Sequence, residues 1–462
     1  MKFSLLTLSG GLLVLTGCTT LGPDFAVPGV SAGRTWKQST ALHSASLPDQ
    51  WWRLFDDAEL NRLVEKSITA NNDIAAARAR RNTARALVGV DRARLFPKLD
   101  LNSTNGINRS SGDNAFAGQD LENQDYRSTF DLAYDLDLWG ANRRSTEAAE
   151  ADAGASDSLL AAQRLGIASE VARQYFTLRG LDAQEAVLTD TIATRQNALS
   201  LEQSRTDAGL TDGLSSSRAR TEVELAKNDL AVVERQRGSA EHALAVLCGT
   251  RPSDFSVSKK SSVSKVPNIS AGLPAEVIVR RPDMRAAEQN LRAANARIGV
   301  AEAAFYPKIS LTGSAGLESL SASSFLDWEN RVLSLGAGLA APLFDGGTNR
   351  SNYDASRSRY EESLAAYRQT MLVALREVED ALVDLKGLSR SRTALEAALT
   401  SAIDTRSLSS QRYEKGLSSY LEVVDAERGV LSTRLAIAEV DAQQRVSLTA
   451  LARALGGGWS GK

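Results

Sequence analysis

Side chains able to do chemistry are few in these 462 residues, and they fall into three small groups. Asp131, Asp135 and Asp137 alternate with Phe130, Leu132, Tyr134, Leu136 and Leu138. Period-two geometry then puts the carboxylates on one strand face and an apolar stripe on the other. The carboxylates keep their face wet, and along a pore they would bias conduction towards cations. A second group is helical: Leu421 and Asp425 are four apart and share a face, while Asp425 and Arg428 have the i,i+3 spacing of a solvated ion pair. The third is the pair of cysteines, Cys18 and Cys248. With two histidines, His43 and His242, and three methionines, there is too little material for a metal cluster, a histidine-based triad or a methionine-lined copper path. No catalytic residue, metal or cofactor is therefore expected. The 54 basic and 56 acidic residues leave a net charge of −2, without the basic excess of a nucleic-acid binder.

Cys18 is defined by what precedes it. Lys2 supplies a positive charge, Phe3 to Leu15 form an apolar stretch, and Leu15-Thr16-Gly17-Cys18 follows. A charged start, a short apolar core and small residues before a cut describe a signal peptide, here residues 1–17. The apolar run is too short to span a bilayer as a helix. Leu-Thr-Gly-Cys resembles a bacterial lipobox, which implies cleavage before Cys18 and acylation of its thiol, each buried CH₂ contributing about 0.8 kcal/mol of anchoring. Thr19, where an aspartate would retain a lipoprotein at the inner membrane, implies passage to the outer one. With Cys18 acylated, Cys248 is the remaining free thiol and no intramolecular disulfide can form.

The elements that position these groups are written twice. Leu95-Phe96-Pro97-Lys98-Leu99 returns as Phe305-Tyr306-Pro307-Lys308-Ile309, with Pro97 and Pro307 separated by 210 residues, and Gly209 and Gly416 are separated by 207. Helical stretches at 73–94 and 283–303 end before the two prolines, where the preceding residue is steered out of helix. Alternating segments then follow: 99–102 with 130–138, and 309–312 with 332–343, joined by polar links at 106–125 and 318–331. These predict one β-hairpin per half. Proline-free runs at 141–207 and 348–414 predict two helices of about 67 residues, on the order of 100 Å each. Leu364, Met371, Val378 and Leu385 recur every seventh residue with Leu375 and Leu382 between, a supercoiling seam, and Ile167, Val171, Tyr175, Leu178 and Leu181 trace a similar stripe. Turns at Gly209 and Gly416 return the chain into second helices at 214–247 and 421–454.

Strands of about 9–11 residues with one apolar and one polar face suit the wall of a membrane barrel. A lone hairpin cannot stand in hydrocarbon, because each unpaired edge group costs several kcal/mol. Membrane barrels begin at about eight strands, so four per chain must be completed by further copies. The residues also fit a soluble hairpin flanked by coiled coil, though that leaves the lipobox without a purpose.

GPDFAVP (22–28), WWRLFDDAEL (51–60), YDLDLWG (134–140), LPAEVIVRRPDM (273–284), FYPKISL (305–311), LEVVDAER (421–428) and ALGGGW (454–459) resemble, in order from Cys18 to Trp459, the outer-membrane factors of tripartite efflux systems, TolC-like and more closely OprM-like. The resemblance implies a mixed α/β membrane protein: a homotrimer with a 12-stranded transmembrane β-barrel, four strands per chain, continued by an α-helical coiled-coil barrel through the periplasm. It implies an arm and equatorial segment at 18–60, a first repeat at 61–249 (hairpin about 97–140, helix pair about 141–248), an equatorial linker at 250–275 and a second repeat at 276–462 (hairpin about 307–345, helix pair about 348–455). Its partners would be a periplasmic adaptor, an inner-membrane transporter of the RND type and outer-membrane lipid, with the channel passive and not an enzyme. Leu421, Asp425 and Arg428 match positions that pinch the periplasmic end in that family. Ser215, Ser216 and Ser217 stand where an acidic residue is often found, so a second acidic ring is not implied. Trp139 and Phe344, at corresponding strand ends, suit an aromatic girdle. Export of proteins or polysaccharides, or a non-channel structural lipoprotein, remain alternatives.

Overall fold

The computed structural model describes residues 20–29, 33, 35–37, 47–109, 122–260, 266–267, 269, 271–272 and 274–458. The signal peptide, Cys18, His43, Trp459 and most of the first hairpin's link lie outside the described residues. The described elements run α1 (Ala58–Ala70), α2 (Asn72–Ala93), β1 (Lys98–Arg109), β2 (Glu122–Leu136), α3 (Ala141–Asp207), α4 (Gly213–Leu247), α5 (Pro274–Arg280), α6 (Pro282–Ala303), β3 (Lys308–Ser319), β4 (Arg331–Ala340), α7 (Thr348–Glu414) and α8 (Tyr420–Ala454). No helix among them is long and apolar enough to cross a membrane. The chain divides into two compact units: one contains Arg80–Ser156 and Ala287–Tyr367 with the arm up to Pro28, the other Gly29–Ala79, Asp157–Ala286 and Arg368–Lys462.

The first unit is built on one antiparallel sheet in the order β1-β2-β3-β4, so the two repeats join through the β2–β3 ladder. Register sorts the side chains into rows. Leu101, Phe130, Ala315 and Leu333 lie across the sheet from one another, as do Leu99, Leu132, Gly313 and Leu335. The large members of both rows are exposed, Leu335 to 83%. On the other face Asp100, Asp131, Ser314 and Ser334 make a polar row. Gly316 is required where β3 crosses β2, because a Cβ there would lie 2.0 Å from the Ser128 carbonyl oxygen. Within the described chain, β1 and β4 are edge strands, each with one unpaired side. Unpaired edges invite pairing with another chain.

Expectations at three places need correction. Residues 106–109 and 122–125, read as part of a polar link, are paired strand. β4 stops at Ala340 rather than reaching residue 343, since Pro342 has no N–H to give the ladder. β2 stops at Leu136, and Asp137 leaves the strand's alternation to cap α3 instead. Its carboxylate accepts the N–H groups of Asn142 (2.9 Å) and Arg143 (3.0 Å) and pairs with the Arg143 guanidinium at 3.2 Å. Four free N–H groups at a helix start attract a carboxylate. The second repeat does the same: Asp345 accepts from Gly347 (2.9 Å) and Asn349 (2.8 Å). In both halves the asparagine that follows ties back to the preceding helix. Asn142 Nδ2 donates to the Arg94 carbonyl at 3.2 Å, and Asn349 Nδ2 to that of Ala304 at 3.1 Å. The duplication thus extends to individual hydrogen bonds.

The second unit holds the core. Trp51, Phe55, Leu60, Leu63, Tyr175, Phe176, Leu244 and Leu451 are fully buried together. The stripe read from 167 to 181 faces this core, joined by Val378 from α7. Asp57 starts α1 by accepting from Glu59 N (3.0 Å) and Leu60 N (3.2 Å), and its other oxygen takes the Tyr175 hydroxyl at 2.8 Å. The linker after α4 is held by a buried carboxylate: Asp182 accepts from Arg179 and Arg237, both at 2.7 Å, and these arginines donate to the carbonyls of Ser258 and Val257. The two arginines share this one carboxylate, and Glu241 supplies a second negative charge to Arg237 at 3.4 Å, so removing Asp182 would leave buried cations short of a partner.

A candidate gate at the helix-hairpin tips

Both hairpins turn the same way. The Gly209 and Leu210 N–H groups return to the carbonyls of Thr206 and Arg205 (2.9 Å each), and those of Gly416 and Leu417 to Tyr413 (2.9 Å) and Arg412 (2.8 Å). This closure leaves the glycine at positive φ, 73° and 71°, where a side chain would be strained. Near these turns the two hairpins of the second unit are fastened together. Tyr413 of α7 donates its hydroxyl to Glu202 of α3 at 2.6 Å, beneath the Arg205 guanidinium. Tyr420 packs beside Tyr413 and among Ala219, Val423 and Val424, and burial pushes its hydroxyl pKa well up.

The stronger tie involves Arg428. Its Nε donates to Glu222 Oε1 of α4 at 3.1 Å, and its Nη2 closes on the same oxygen. Glu222 is buried and is also held from α3: Arg195 reaches its carboxylate at 3.1 Å and its backbone carbonyl at 2.8 Å. The hydrogen bond that Glu222 accepts, and its negative charge, hold the Arg428 guanidinium more firmly protonated than usual. Asp425, the partner read from sequence, stands 3.8 Å from Arg428 with a largely exposed carboxylate. Leu421 is also exposed. Sequence reading therefore found Arg428 and missed its principal partner. A signal existed: Leu181, Leu188, Arg195 and Glu202 are spaced by seven and all buried. Charges in a heptad seam require partners on the facing helix.

Asp131 does not stand free on the polar face, because it accepts from Asn102 Nδ2 and Ser314 Oγ, both at 2.6 Å, bridging β1 and β3. Asp135 pairs across the ladder with Ser310. Trp139 donates its indole N–H to the Pro307 carbonyl at 2.7 Å and packs on Tyr306, while Phe344 is almost fully exposed. Of the serines, Ser216 turns its hydroxyl back to the Gly213 carbonyl. Among the described residues no group of His, Cys, Asp and Glu could hold a metal ion.

The chain is similar to known proteins in sequence and in fold. Residues 63–250 and 273–457 match the family described as outer membrane efflux protein. The chain is 33% identical to outer membrane protein OprJ of Pseudomonas aeruginosa over 97% of its own length and 95% of OprJ. It is 30% identical to the toluene efflux pump outer membrane protein TtgC of Pseudomonas putida, covering 99% and 96% of the two chains. The open state of the MtrE outer membrane channel of Neisseria gonorrhoeae superposes with a TM-score of 0.85 at 28% identity, over 96% of this chain and 99% of MtrE. With a sheet that exposes an apolar face, two hairpins tied at their tips and a match on each half, the chain belongs to the outer membrane efflux protein family.

Proposed function

We propose that this protein is the outer-membrane channel of a tripartite pump, passing small toxic compounds outward without doing chemistry on them. The observation that carries this is the four-stranded sheet, with its exposed leucine and phenylalanine rows and two unpaired edges. Three copies would pair those edges into a 12-stranded barrel and leave no open edge in lipid. Cys18 would carry the acyl anchor, and residues 18–60 and 250–275 would form an equatorial segment between repeats 61–249 and 276–462. Asp131 and Asp135 would face the lumen; Asp137, committed to α3, would contribute less to its charge. Leu421 and Asp425 would ring the periplasmic end, with Arg428 as the latch that holds each second hairpin against the first. Adaptor and inner-membrane pump, of the RND type, would supply opening and energy. The similarity to TtgC, an outer membrane protein of a toluene efflux pump, and to MtrE, an outer membrane channel with an open state, supports this reading.

Deletion of the gene, followed by a survey of solvents, antibiotics, dyes and metal ions, is expected to raise sensitivity to at least one of these classes, with recovery on complementation. Unchanged sensitivity together with loss of an exported protein or polysaccharide would overturn it in favour of a secretion channel.

A further inference from the structure

We propose that Glu427 makes the latch acid-sensitive: with its carboxyl protonated the second hairpin stays packed on the first, and its ionisation loosens them. This rests on the gate reading above but concerns a different side chain and a different variable. Glu427 lies on α8 next to Arg428 and lines a small cavity of about 70 Å³ with Asp190, Thr194 and Arg195 of α3, Arg406 of α7 and Arg434 of α8. That is room for about two water molecules.

The charges around it are unequally committed. Asp190 pairs with Arg434 at 3.1 Å, and Arg195 with Glu222 at 3.1 Å. Among the described residues neither Glu427 nor Arg406 has an ion pair within 4.0 Å. Glu427 is thus a half-buried carboxyl that faces Arg195 and Arg406 without touching either, and feels the repulsion of Glu222 from α4. Burial pushes its pKa up, the two arginines recover only part of that, and Glu222 adds to the rise. A hairpin that swings away hydrates the carboxyl and returns it to its ordinary value. The packed state therefore binds more protons than the swung-out state. Its extra stability is fully present below the ordinary carboxyl pKa and is lost as pH rises through the raised one. Acid closes the gate, and neutral conditions ease it.

The test is leak conductance of the purified full-length protein in planar bilayers, between about pH 5 and pH 8. Wild type is expected to leak several-fold more at the upper end, and Glu427→Gln to stay at the low level throughout. A Glu427→Gln channel that keeps the wild-type pH response, or a wild type with none, overturns the proposal. Glu222→Gln separates the two readings. Raised leak at every pH in that variant, alongside an unaltered pH response in Glu427→Gln, removes the acid-sensitive role alone. Unchanged leak in Glu222→Gln removes the latch and this proposal with it.

Discussion

Arg428→Glu is expected to leave the channel open at rest. In the native chain the guanidinium reaches one oxygen of Glu222 through both Nε and Nη2. Its side chain is 53% exposed while that of Glu222 is 6% exposed. Solvent at the arginine end lowers the value of the pair, yet its loss leaves a buried carboxylate with Arg195 as its remaining ion-pair partner among the described residues. A discounted cost of about 1–2 kcal/mol per protomer follows, and reversal adds repulsion to it. If three hairpins open together, roughly 3–6 kcal/mol shifts the closed-to-open ratio by about 10² to 10⁴. Arg428→Lys keeps the charge without the fork and should leak far less. Asp425→Ala, 3.8 Å away and exposed, should act weakly through the latch; any leak it adds would count for the proposed carboxylate ring at the axis. Single-channel conductance in planar bilayers and entry of large antibiotics read all three variants. An Arg428→Glu channel with wild-type conductance would remove Arg428 from the gate.

Leu335→Arg is expected to abolish assembly in the membrane. Leu335 lies opposite Gly313 on β4, in the row with Leu99 and Leu132 that the chain leaves bare. An arginine on the lipid face of a barrel costs about 2–4 kcal/mol at the midplane, and threefold repetition makes that about 6–12 kcal/mol. A native state stable by about 5–15 kcal/mol has little margin against it. Ser334→Arg, one residue earlier, points to the polar row and should assemble. Heat-modifiable gel migration and outer-membrane fractionation distinguish them. Normal assembly of Leu335→Arg would show that this face does not meet lipid.

Elements with a long uniform signal were legible in the sequence. The proline-free runs 141–207 and 348–414 are the spans of α3 and α7, and the 167–181 stripe packs in the core as its spacing requires. Local chemistry was less legible because one residue often satisfies two patterns. Asp137 fits the alternation of β2, but the free N–H groups of α3 outbid the strand for it. Pro342 sits inside an alternating run and still ends β4. β1 runs on to Arg109 and β2 begins at Glu122, through residues too polar to announce strand, because their ladder bonds are backbone bonds indifferent to side chains. At the candidate gate the sequence marked α8 alone. Glu222 is distant in the chain from Arg428, as Glu202 is from Tyr413, and only the packing of one repeat on the other pairs them.

Among the described residues four strands form one sheet with two bare edges, and other copies are needed to close a wall. Native mass spectrometry of the detergent-solubilised, full-length protein measures this directly. A complex of three chains that keeps its sheet in the micelle is the predicted result; a single chain under the same conditions would contradict it.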